Sequence, residues 1–460
     1  MDIPVKVDSV YEMVIEDMGS DGEGIGHVTG FTVFVPGAII GDRISARIDK
    51  VSKRYAVGHL VSIIEPSDYR IQPPCPVANR CGGCHIQTMA YDAQLAYKTR
   101  RVKDALQRIG GLDDVPVLDT IGMESPWRYR NKAQLPVGVS SGRPVMGFFA
   151  ADTHDIVDIN ACPIQHPAVD GVIKTVKDYI SRYNVPIYDE MTGKGLLRHI
   201  MVRVGFNSGQ VMVVPVINGD SIPYAEQFVD MLQQNVNGLT SVALNINRQR
   251  TNVILGSQCK VIYGSDHITD TLCGLVFKIS PLSFFQVNPR QTEVLYTKAV
   301  EYAALDGTQT VLDAYCGIGT ISLLAAKRTR KVYGIEEVPQ AIEDARDNAH
   351  VNGIDNAEFI CGKAEEVIAG FIEEGVHIDV IIMDPPRKGC DEAFLEAAVR
   401  LAPDCMVYVS CNPATLARDM RFLCEHGYKA TAVQPVDMFP HTVHVECVIL
   451  MQRSGLEDEK

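Results

Sequence analysis

The feature that most constrains this chain is a repeated order of apolar strand, glycine turn and helix between residues 310 and 413. The first repeat, TVLDAYCGIGTISLLAA, runs from a buried strand through a glycine loop into a helix-forming stretch. The next segments are KVYGIEEV, AEFICGKAEEV, IDVIIMDPPRKG and CMVYVSCNP. Strands that alternate with helices in this way are typical of a doubly wound parallel sheet. We therefore predict an α/β, Rossmann-like fold for this part of the chain.

The rest of the chain is organised differently, and 460 residues are enough for two or three domains. Residues 1–66 contain short alternating strands separated by glycine turns, which favours a small β-barrel. After a break at residues 66–74, a strand-rich stretch with a few helices follows. We predict a barrel over residues 1–66, a central α+β domain over residues 67–275 and the α/β domain over residues 276–460.

The composition excludes several classes of protein. No apolar run reaches the roughly 18 residues of a membrane helix, and the first residues are unlike a signal peptide, so we expect a cytoplasmic protein. Thirteen cysteines, an odd number, argue against a complete disulfide framework. The net charge of −14 argues against non-specific binding of polyanions. Basic residues are nevertheless clustered in the barrel segment, which hints at a nucleic-acid surface made of Arg43, Arg47, Lys50, Lys53 and Arg54.

The loop CGIGT is a candidate cofactor site. Gly317 and Gly319 allow the backbone to approach a ligand at the carboxyl end of a strand. Glu336 ends the following strand, where a carboxylate can accept hydrogen bonds from both ribose hydroxyls of a nucleoside. A dinucleotide enzyme has the same acid, but Ser322 stands where the third glycine of its motif belongs. S-adenosylmethionine has no pyrophosphate that this glycine would have to accommodate, so the loop favours a methyltransferase.

Asp384-Pro385-Pro386 follows the fourth strand of this region. Prolines fix the backbone and prevent a helix, so the motif predicts a rigid rim with a carboxylate beside the cofactor pocket. Similar motifs occur in methyltransferases that modify exocyclic amines. Those enzymes need no nucleophile, because the amine nitrogen attacks the methyl group itself.

Cys411, at the end of the strand VYVSCNP, indicates a different chemistry. C5 of a pyrimidine cannot take a methyl group directly, but a thiolate that adds to C6 turns C5 into a carbon nucleophile. The C5 proton must then leave, which requires a base. Glu446 in HVECV is the candidate carboxylate, although strand alternation alone favours a solvent-facing side chain and an edge strand there; His441 and His444 are rival bases.

The segment SFFQVN could form part of the substrate site. Phe284 or Phe285 could stack on a flipped base, and Gln286 could hydrogen-bond a base or a cofactor edge. Phenylalanines in such a run also serve as ordinary core residues.

A group of four cysteines in the middle of the chain has the spacing of a metal site. A tight triad and one remote cysteine resemble the ligands of ferredoxin-type clusters, and two of the four precede proline. Structural zinc usually shows two C-x2-C pairs, and unligated thiols are the remaining alternative. The group consists of Cys75, Cys81, Cys84 and Cys162.

Taken together, these motifs resemble the RNA 5-methyluridine methyltransferases, in particular the bacterial branch that acts on 23S ribosomal RNA and carries a TRAM domain and a [4Fe-4S] cluster. The resemblance runs through GEGIGHV, the cysteine motif with ACPIQ, FFQVN, DAYCGIGT, GIEEV, DPPRKG, SCNP and HVECV in that order. It implies a class I S-adenosylmethionine-dependent methyltransferase domain preceded by an OB-like TRAM barrel. Thr320 stands where members often have asparagine, and Lys363 occupies a position that can be a polar cofactor contact.

The resemblance also implies roles for individual residues. Cys411 matches the nucleophile, Glu446 matches the base, and Phe284 matches an aromatic side chain near the target base. The four cysteines named above match the cluster ligands. The residues that match S-adenosylmethionine contacts are Gln286, Tyr315, Glu336 and Asp384.

The family further suggests that a helical piece around residues 93–122 packs on the catalytic domain and that the barrel grips RNA. We expect 23S ribosomal RNA as the substrate and no obligate protein partner, and hence a monomer. Transfer RNA, cytosine C5 and a non-catalytic RNA-binding iron–sulfur sensor are the alternatives. Transfer-RNA members usually lack the TRAM and cluster segments, and cytosine enzymes typically have a P-C motif where this chain has DPPR.

Overall fold

The structure is a computed structural model that describes residues 3–455. It begins with a closed five-stranded barrel in the order β1-β2-β3-β5-β4. Alternate side chains point inward, and the barrel core contains Ile15, Val33 and Ile44. The predicted small β-barrel is thereby confirmed. Its strands are β1 Val10–Met18, β2 Gly24–Val28, β3 Phe31–Val35, β4 Arg43–Val51 and β5 Tyr55–Glu65.

A helical segment follows the barrel and packs on the C-terminal part of the chain. Helix α1, Tyr91–Ala105, continues into one π-helical turn, Leu106–Gly110, and ends at Gly111, whose φ is +65°. Val102 and Leu106 are buried in the same core as the C-terminal helices. Beyond the turn the chain is extended, and Val117 and Ile121 pair with β20 (Tyr428–Val436).

The central part of the chain is a seven-stranded sheet in the order β12-β11-β10-β9-β6-β7-β8. Helices α2, Pro167–Tyr183, and α3, Ala225–Asn235, cover one face. On the other face, Met201 and Met212 join the core of the C-terminal domain, so the two parts share apolar packing. The strands are β6 Lys132–Ser140, β7 Arg143–Phe149, β8 Ile156–Asp158, β9 Leu197–Val204, β10 Val211–Ile217, β11 Leu239–Ile246 and β12 Gln258–Gly264.

A two-stranded hairpin, β13 (Ile268–Leu272) with β14 (Leu275–Ile279), leads into the C-terminal sheet. That sheet has seven strands in the order β17-β16-β15-β18-β19-β21-β20. Its five neighbouring parallel strands confirm the predicted doubly wound arrangement. The remaining strands are β15 Thr310–Ala314, β16 Lys331–Glu336, β17 Ala357–Cys361, β18 Val380–Met383, β19 Cys405–Ser410 and β21 Glu446–Arg453.

Helices alternate with the parallel strands of this sheet, and α4 precedes them. Their apolar faces bury the sheet on both sides, so that every residue of β15 and β18 is buried. The helices are α4 Pro289–Tyr302, α5 Thr320–Ala326, α6 Pro339–Val351, α7 Ala364–Glu374, α8 Glu392–Leu401 and α9 Pro413–Glu425.

The last strand differs from the sequence prediction. Instead of closing the sheet at its edge, β21 lies between β19 and β20 and runs antiparallel to both. The edge is β20, which residues 117–121 partly cover. Alternation along one strand reveals which residues share a face, but it does not reveal which strands are its neighbours. None of the helices within residues 3–455 has the length and apolarity to cross a membrane.

Candidate active site

The glycine loop after β15 turns the chain sharply into α5. Tyr315, Gly317 and Gly319 all have positive φ angles, of +68°, +55° and +83°. A Cβ atom on Gly319 would lie 3.0 Å from the ring of Phe359, whereas one on Gly317 would meet no heavy atom within 4 Å. The loop therefore needs glycine at 319 for close packing and leaves open space beside 317.

Glu336 lies at the end of β16 with its carboxylate against this loop. One oxygen accepts a hydrogen bond from the Gly317 amide at 3.2 Å and the other from the Val338 amide at 2.9 Å. Each oxygen keeps a further lone pair, so the carboxylate can still accept hydrogen bonds from a ligand. Glu336 and the loop lie at the carboxyl ends of the neighbouring parallel strands β16 and β15, the edge at which open α/β sheets bind ligands.

The reversed direction of β21 brings Cys411 and Glu446 together. In the pairing of β19 with β21, Ser410 lies opposite Cys447, so the next residues along, Cys411 and Glu446, leave the sheet at the same edge. Cys411 is half-buried, and Asn412 caps α9 by accepting a hydrogen bond from the Ala414 amide. The thiol therefore precedes a helix N-terminus, which favours negative charge.

Burial favours the neutral forms of two carboxyl groups of the site by raising their pKa values. Burial and the neighbouring Asp384 raise the pKa of Glu446 to about 8, and the residue is only 4% exposed. Burial also raises the pKa of Asp384 to about 7. The alternation-based expectation of a solvent-facing Glu446 is therefore wrong: the first four residues of β21 are all buried, so both faces of the strand are covered at this end.

The Cys411 thiol is also held in its neutral form. Burial, followed by the nearby Glu446 and Asp384, raises its pKa to about 12. Arg387 acts in the opposite direction on both Cys411 and Glu446, because a positive charge favours the thiolate and the carboxylate. A second positive charge in the cavity would favour the same ionised forms.

One cavity of about 710 Å³ joins all these groups. The side chain of Phe284 is 70% exposed at this cavity, whereas that of Phe285 is 4% exposed and belongs to the apolar core. Thr320 and Lys363 also line the cavity. The six residues predicted for catalysis and cofactor binding all line it: Gln286, Tyr315, Glu336, Asp384, Cys411 and Glu446.

The rival histidines occupy different environments. The His441 ring stacks on Trp127 with centroids 3.7 Å apart, and its Nε2 lies 3.1 Å from the carbonyl of Pro126. These contacts hold the His441 ring in a structural position, and His441 does not line the cavity. His444 does line it, and burial followed by Arg387 lowers its pKa to about 4.

Sequence reasoning missed Arg387. It follows the two prolines of DPPR and lines the cavity. Its carbonyl accepts hydrogen bonds from the Asn412 side chain at 3.1 Å and from the Thr415 hydroxyl at 3.3 Å. The rigid proline pair aims this cation at the site, so its place directly after the prolines was the available signal.

The four predicted metal-ligand cysteines line a second cavity of about 500 Å³. Burial, together with the smaller effect of the other three thiols, raises the pKa of Cys84 to about 12. Within residues 3–455, however, no group of three or more histidine, cysteine, aspartate and glutamate side chains is placed to hold a metal ion. Three residues line both cavities and form the wall between them: Arg387, Phe439 and His444.

The basic residues of the barrel fall into two groups. Arg43 pairs with Glu12 and Glu65, and Arg47 pairs with Asp49. Lys50, Lys53 and Arg54 are exposed and form no ion pair within the described residues. Among these five clustered residues, only the last three offer positive charge that no ion pair within residues 3–455 compensates.

Comparison with known families and relatives covers almost the whole chain. A model of the tRNA (uracil-5-)-methyltransferase family matches residues 90–454, and a TRAM-domain model matches residues 4–61. An uncharacterised RNA methyltransferase of Clostridium tetani is 51% identical over 454 residues, covering 99% of this chain and 98% of the relative. An uncharacterised RNA methyltransferase of Halalkalibacterium halodurans is 48% identical over 449 residues, covering 98% of each.

A solved structure matches over nearly the same length. It is the Pyrococcus abyssi tRNA (uracil-54, C5)-methyltransferase in complex with S-adenosyl-L-homocysteine, with a TM-score of 0.77 and 29% identity. The match covers 96% of this chain and 100% of the other. The barrel, the central sheet and the C-terminal domain therefore have counterparts in one known protein.

Proposed function

The chain belongs to the tRNA (uracil-5-)-methyltransferase family of S-adenosylmethionine-dependent RNA methyltransferases, and from this premise we propose that it methylates C5 of uridine in 23S ribosomal RNA through Cys411 and Glu446. One observation carries the proposal. A thiol and a buried carboxylate leave adjacent strands at one edge and share a cavity with the glycine loop. An amine methyltransferase would need neither group.

The chemistry follows from these positions. The Cys411 thiolate adds to C6 of the uracil ring, and the electron pair displaced from the C5–C6 bond makes C5 a nucleophile. After C5 has taken the methyl group, the Glu446 carboxylate removes the C5 proton. The C5–H electron pair restores the double bond, and the bond from C6 to sulfur breaks. Arg387 favours the Cys411 thiolate, which is both the starting form of the residue in this reaction and the form that is regenerated at its end.

The residues around the glycine loop suit S-adenosylmethionine. When bound, this cofactor supplies an electrophilic methyl group on a sulfonium. Glu336, whose carboxylate is already oriented by two backbone amides, would hold the ribose hydroxyls. Gln286, Tyr315 and Asp384 line the same cavity and would orient the remainder of the cofactor.

We also propose that the cysteine cavity holds a [4Fe-4S] cluster. A single zinc ion needs its thiolates within about 2.3 Å of one point, and the described side chains provide no such point. The four cysteine ligands of a [4Fe-4S] cluster bind four different iron atoms and therefore lie further apart than the ligands of a single ion. Arg130, Lys132 and Arg387 line the same cavity and would balance the charge of four thiolates. The group would order the central domain and its RNA contacts, because methyl transfer needs no electron.

Ribosomal RNA is our first candidate substrate because of the TRAM and cysteine segments, which the resembling 23S enzymes carry. Transfer RNA is the second candidate. The Pyrococcus tRNA enzyme matches 96% of this chain, so a TRAM-sized segment is not reserved for ribosomal enzymes. Purified protein should be incubated with S-adenosylmethionine and either 23S rRNA or a tRNA pool, and 5-methyluridine mapped by mass spectrometry. Methylation of tRNA alone would replace the ribosomal assignment, and methylation of neither RNA would refute the activity.

Glu446→Gln tests the mechanism. This variant should add its thiolate and transfer the methyl group but fail to remove the C5 proton, because an amide is not a base. A denaturation-resistant protein–RNA adduct should therefore accumulate on gels, and product release should fall at least about 100-fold. The adduct should be absent from Cys411→Ala and from the Cys411→Ala/Glu446→Gln double variant. An adduct that survives in either would assign the nucleophile to another residue.

A further inference from the structure

The loop of residues 437–445, which we call the base loop, joins β20 to β21 and leads directly into Glu446. Two of its residues, Phe439 and His444, stand in the wall between the two cavities. The base loop therefore leads into the candidate base and also helps to separate the two cavities.

Helix α1 holds the base loop through buried polar contacts. The Lys98 ammonium, fully buried, donates to the Asp437 carboxylate and, at 3.0 Å, to the Phe439 carbonyl. The Gln94 side chain accepts a hydrogen bond from the His441 amide at 3.0 Å. Well-packed apolar residues stabilise an interior at least as well as a buried ion pair, so the pair is better explained by the position that it imposes on the loop.

His441 shows that the base loop is held under strain. Its φ of +68° is in the left-handed region, which costs a residue other than glycine about 1–3 kcal/mol. Such a conformation persists where surrounding contacts determine it, and the stacked Trp127 ring and the Gln94 side chain provide those contacts here. Strained residues of this kind cluster at functional sites.

The cysteine segment is bonded to the same loop. The His441 carbonyl accepts hydrogen bonds from the amides of His85 at 3.0 Å and Ile86 at 3.1 Å, directly after Cys84. The His85 ring also packs edge-on against His444, with centroids 5.8 Å apart. Helix α1 and the cysteine segment thus meet on one loop.

We propose that Lys98 and Gln94 are positioning residues for proton abstraction, which hold the base loop so that Glu446 reaches the proton on C5. This inference rests on the proposed function. In the step concerned the C5–H bond breaks and the proton passes to the Glu446 carboxylate. Its electron pair forms the C5–C6 double bond, and the C6–S bond breaks to release the Cys411 thiolate. Thiolate addition and methyl transfer precede this step. A displaced base loop therefore slows proton removal and the release of the RNA from Cys411, and it leaves the two earlier steps unchanged.

The test compares Lys98→Met and Gln94→Met with Lys103→Met, the same kind of change on the exposed side of α1. Single-turnover reactions use substrate RNA tritiated at uridine C5, with release of tritium and the amount of denaturation-resistant adduct both measured. The two base-loop variants should release tritium on the order of 10- to 100-fold more slowly and accumulate adduct. Lys103→Met should match the wild type.

A wild-type ratio of adduct to product per folded molecule in both base-loop variants would overturn the positioning role. Lys98→Met leaves the Asp437 carboxylate buried without its partner and could fail to fold, in which case Gln94→Met carries the test alone. Glu446→Gln separates the two levels of inference. An adduct in Glu446→Gln with wild-type behaviour of the base-loop variants refutes only the positioning role, whereas no adduct in Glu446→Gln refutes the proposed mechanism.

Discussion

Glu446 illustrates how much a single side chain depends on its surroundings. In water its carboxyl group would be ionised at pH 7, but burial beside Asp384 raises its pKa to about 8. Between about pH 4.5 and 8, the folded protein therefore keeps a proton that the unfolded chain has already released. Removing the C5 proton requires the ionised form, so this residue lowers stability in exchange for a base that works near neutral pH.

Glu446→Gln should therefore stabilise the protein increasingly as pH rises from 5 to 8. The wild type loses stability over this window because unfolding releases a proton that the folded state still holds, at about 1.4 kcal/mol per pKa unit. Melting temperatures of the two proteins should differ little at pH 5 and by several degrees at pH 8. Glu373→Gln, an exposed control, should show no such trend. A difference that stays constant with pH would contradict the assignment.

At the scale of elements, the two glycines of the loop meet different requirements, close packing in the core and open space for a ligand. Gly319 is packed against Phe359, whereas Gly317 faces the cavity with open space beside it. The same substitution at these two positions should thus affect different properties.

Gly319→Ala should lower the melting temperature, because its methyl group would press on the Phe359 ring in a backbone conformation that costs alanine about 1–2 kcal/mol. Gly317→Ala should lose less stability but bind S-adenosylhomocysteine about tenfold or more weakly, because its methyl group projects into the cavity. Thermal unfolding and calorimetric titration measure the two effects. Equal losses of affinity in both variants with no difference in melting temperature would show that the loop does not divide its roles in this way.

Local patterns in the sequence predicted the elements of this site better than their arrangement. The strand that ends at Ala314, the loop and the acid Glu336 follow from apolar runs and glycine spacing, which act over a few residues. The place of β21 depends on its pairing with β19 and β20. β19 is distant from β21 in the sequence, and no local sequence pattern identifies either strand as a neighbour. For that reason strand alternation alone favoured a solvent-facing Glu446, and no local pattern indicated that Lys98 or Arg387 would lie at the site.

Over the whole molecule, the barrel is the part that can extend the RNA contact beyond the catalytic cavity. Three clustered cations without an ion pair among the described residues, Lys50, Lys53 and Arg54, lie in and around the turn between β4 and β5. Because the net charge of the chain is −14, the protein as a whole repels the RNA phosphates, and these clustered cations have to overcome that repulsion.

Replacing these three cations with alanine should weaken RNA binding and reduce its dependence on salt. Each lost contact with a phosphate of single-stranded RNA lowers the slope of log affinity against log salt by about 0.7. Fluorescence anisotropy with a substrate RNA at several salt concentrations measures this slope. Arg43→Ala should change it less, because Glu12 and Glu65 already neutralise that side chain. An unchanged slope in the triple variant would place the RNA contact elsewhere.

The interior position of β21 also has a consequence for the order in which the enzyme becomes active. The strand follows every other described strand in the chain, yet it must insert between β19 and β20 before the sheet is continuous. Until it does so, the thiol of Cys411 lacks the Glu446 carboxylate. Because β21 is the last described strand to be synthesised, the reactive pair cannot form before the end of synthesis, even when the cofactor loop has already been made.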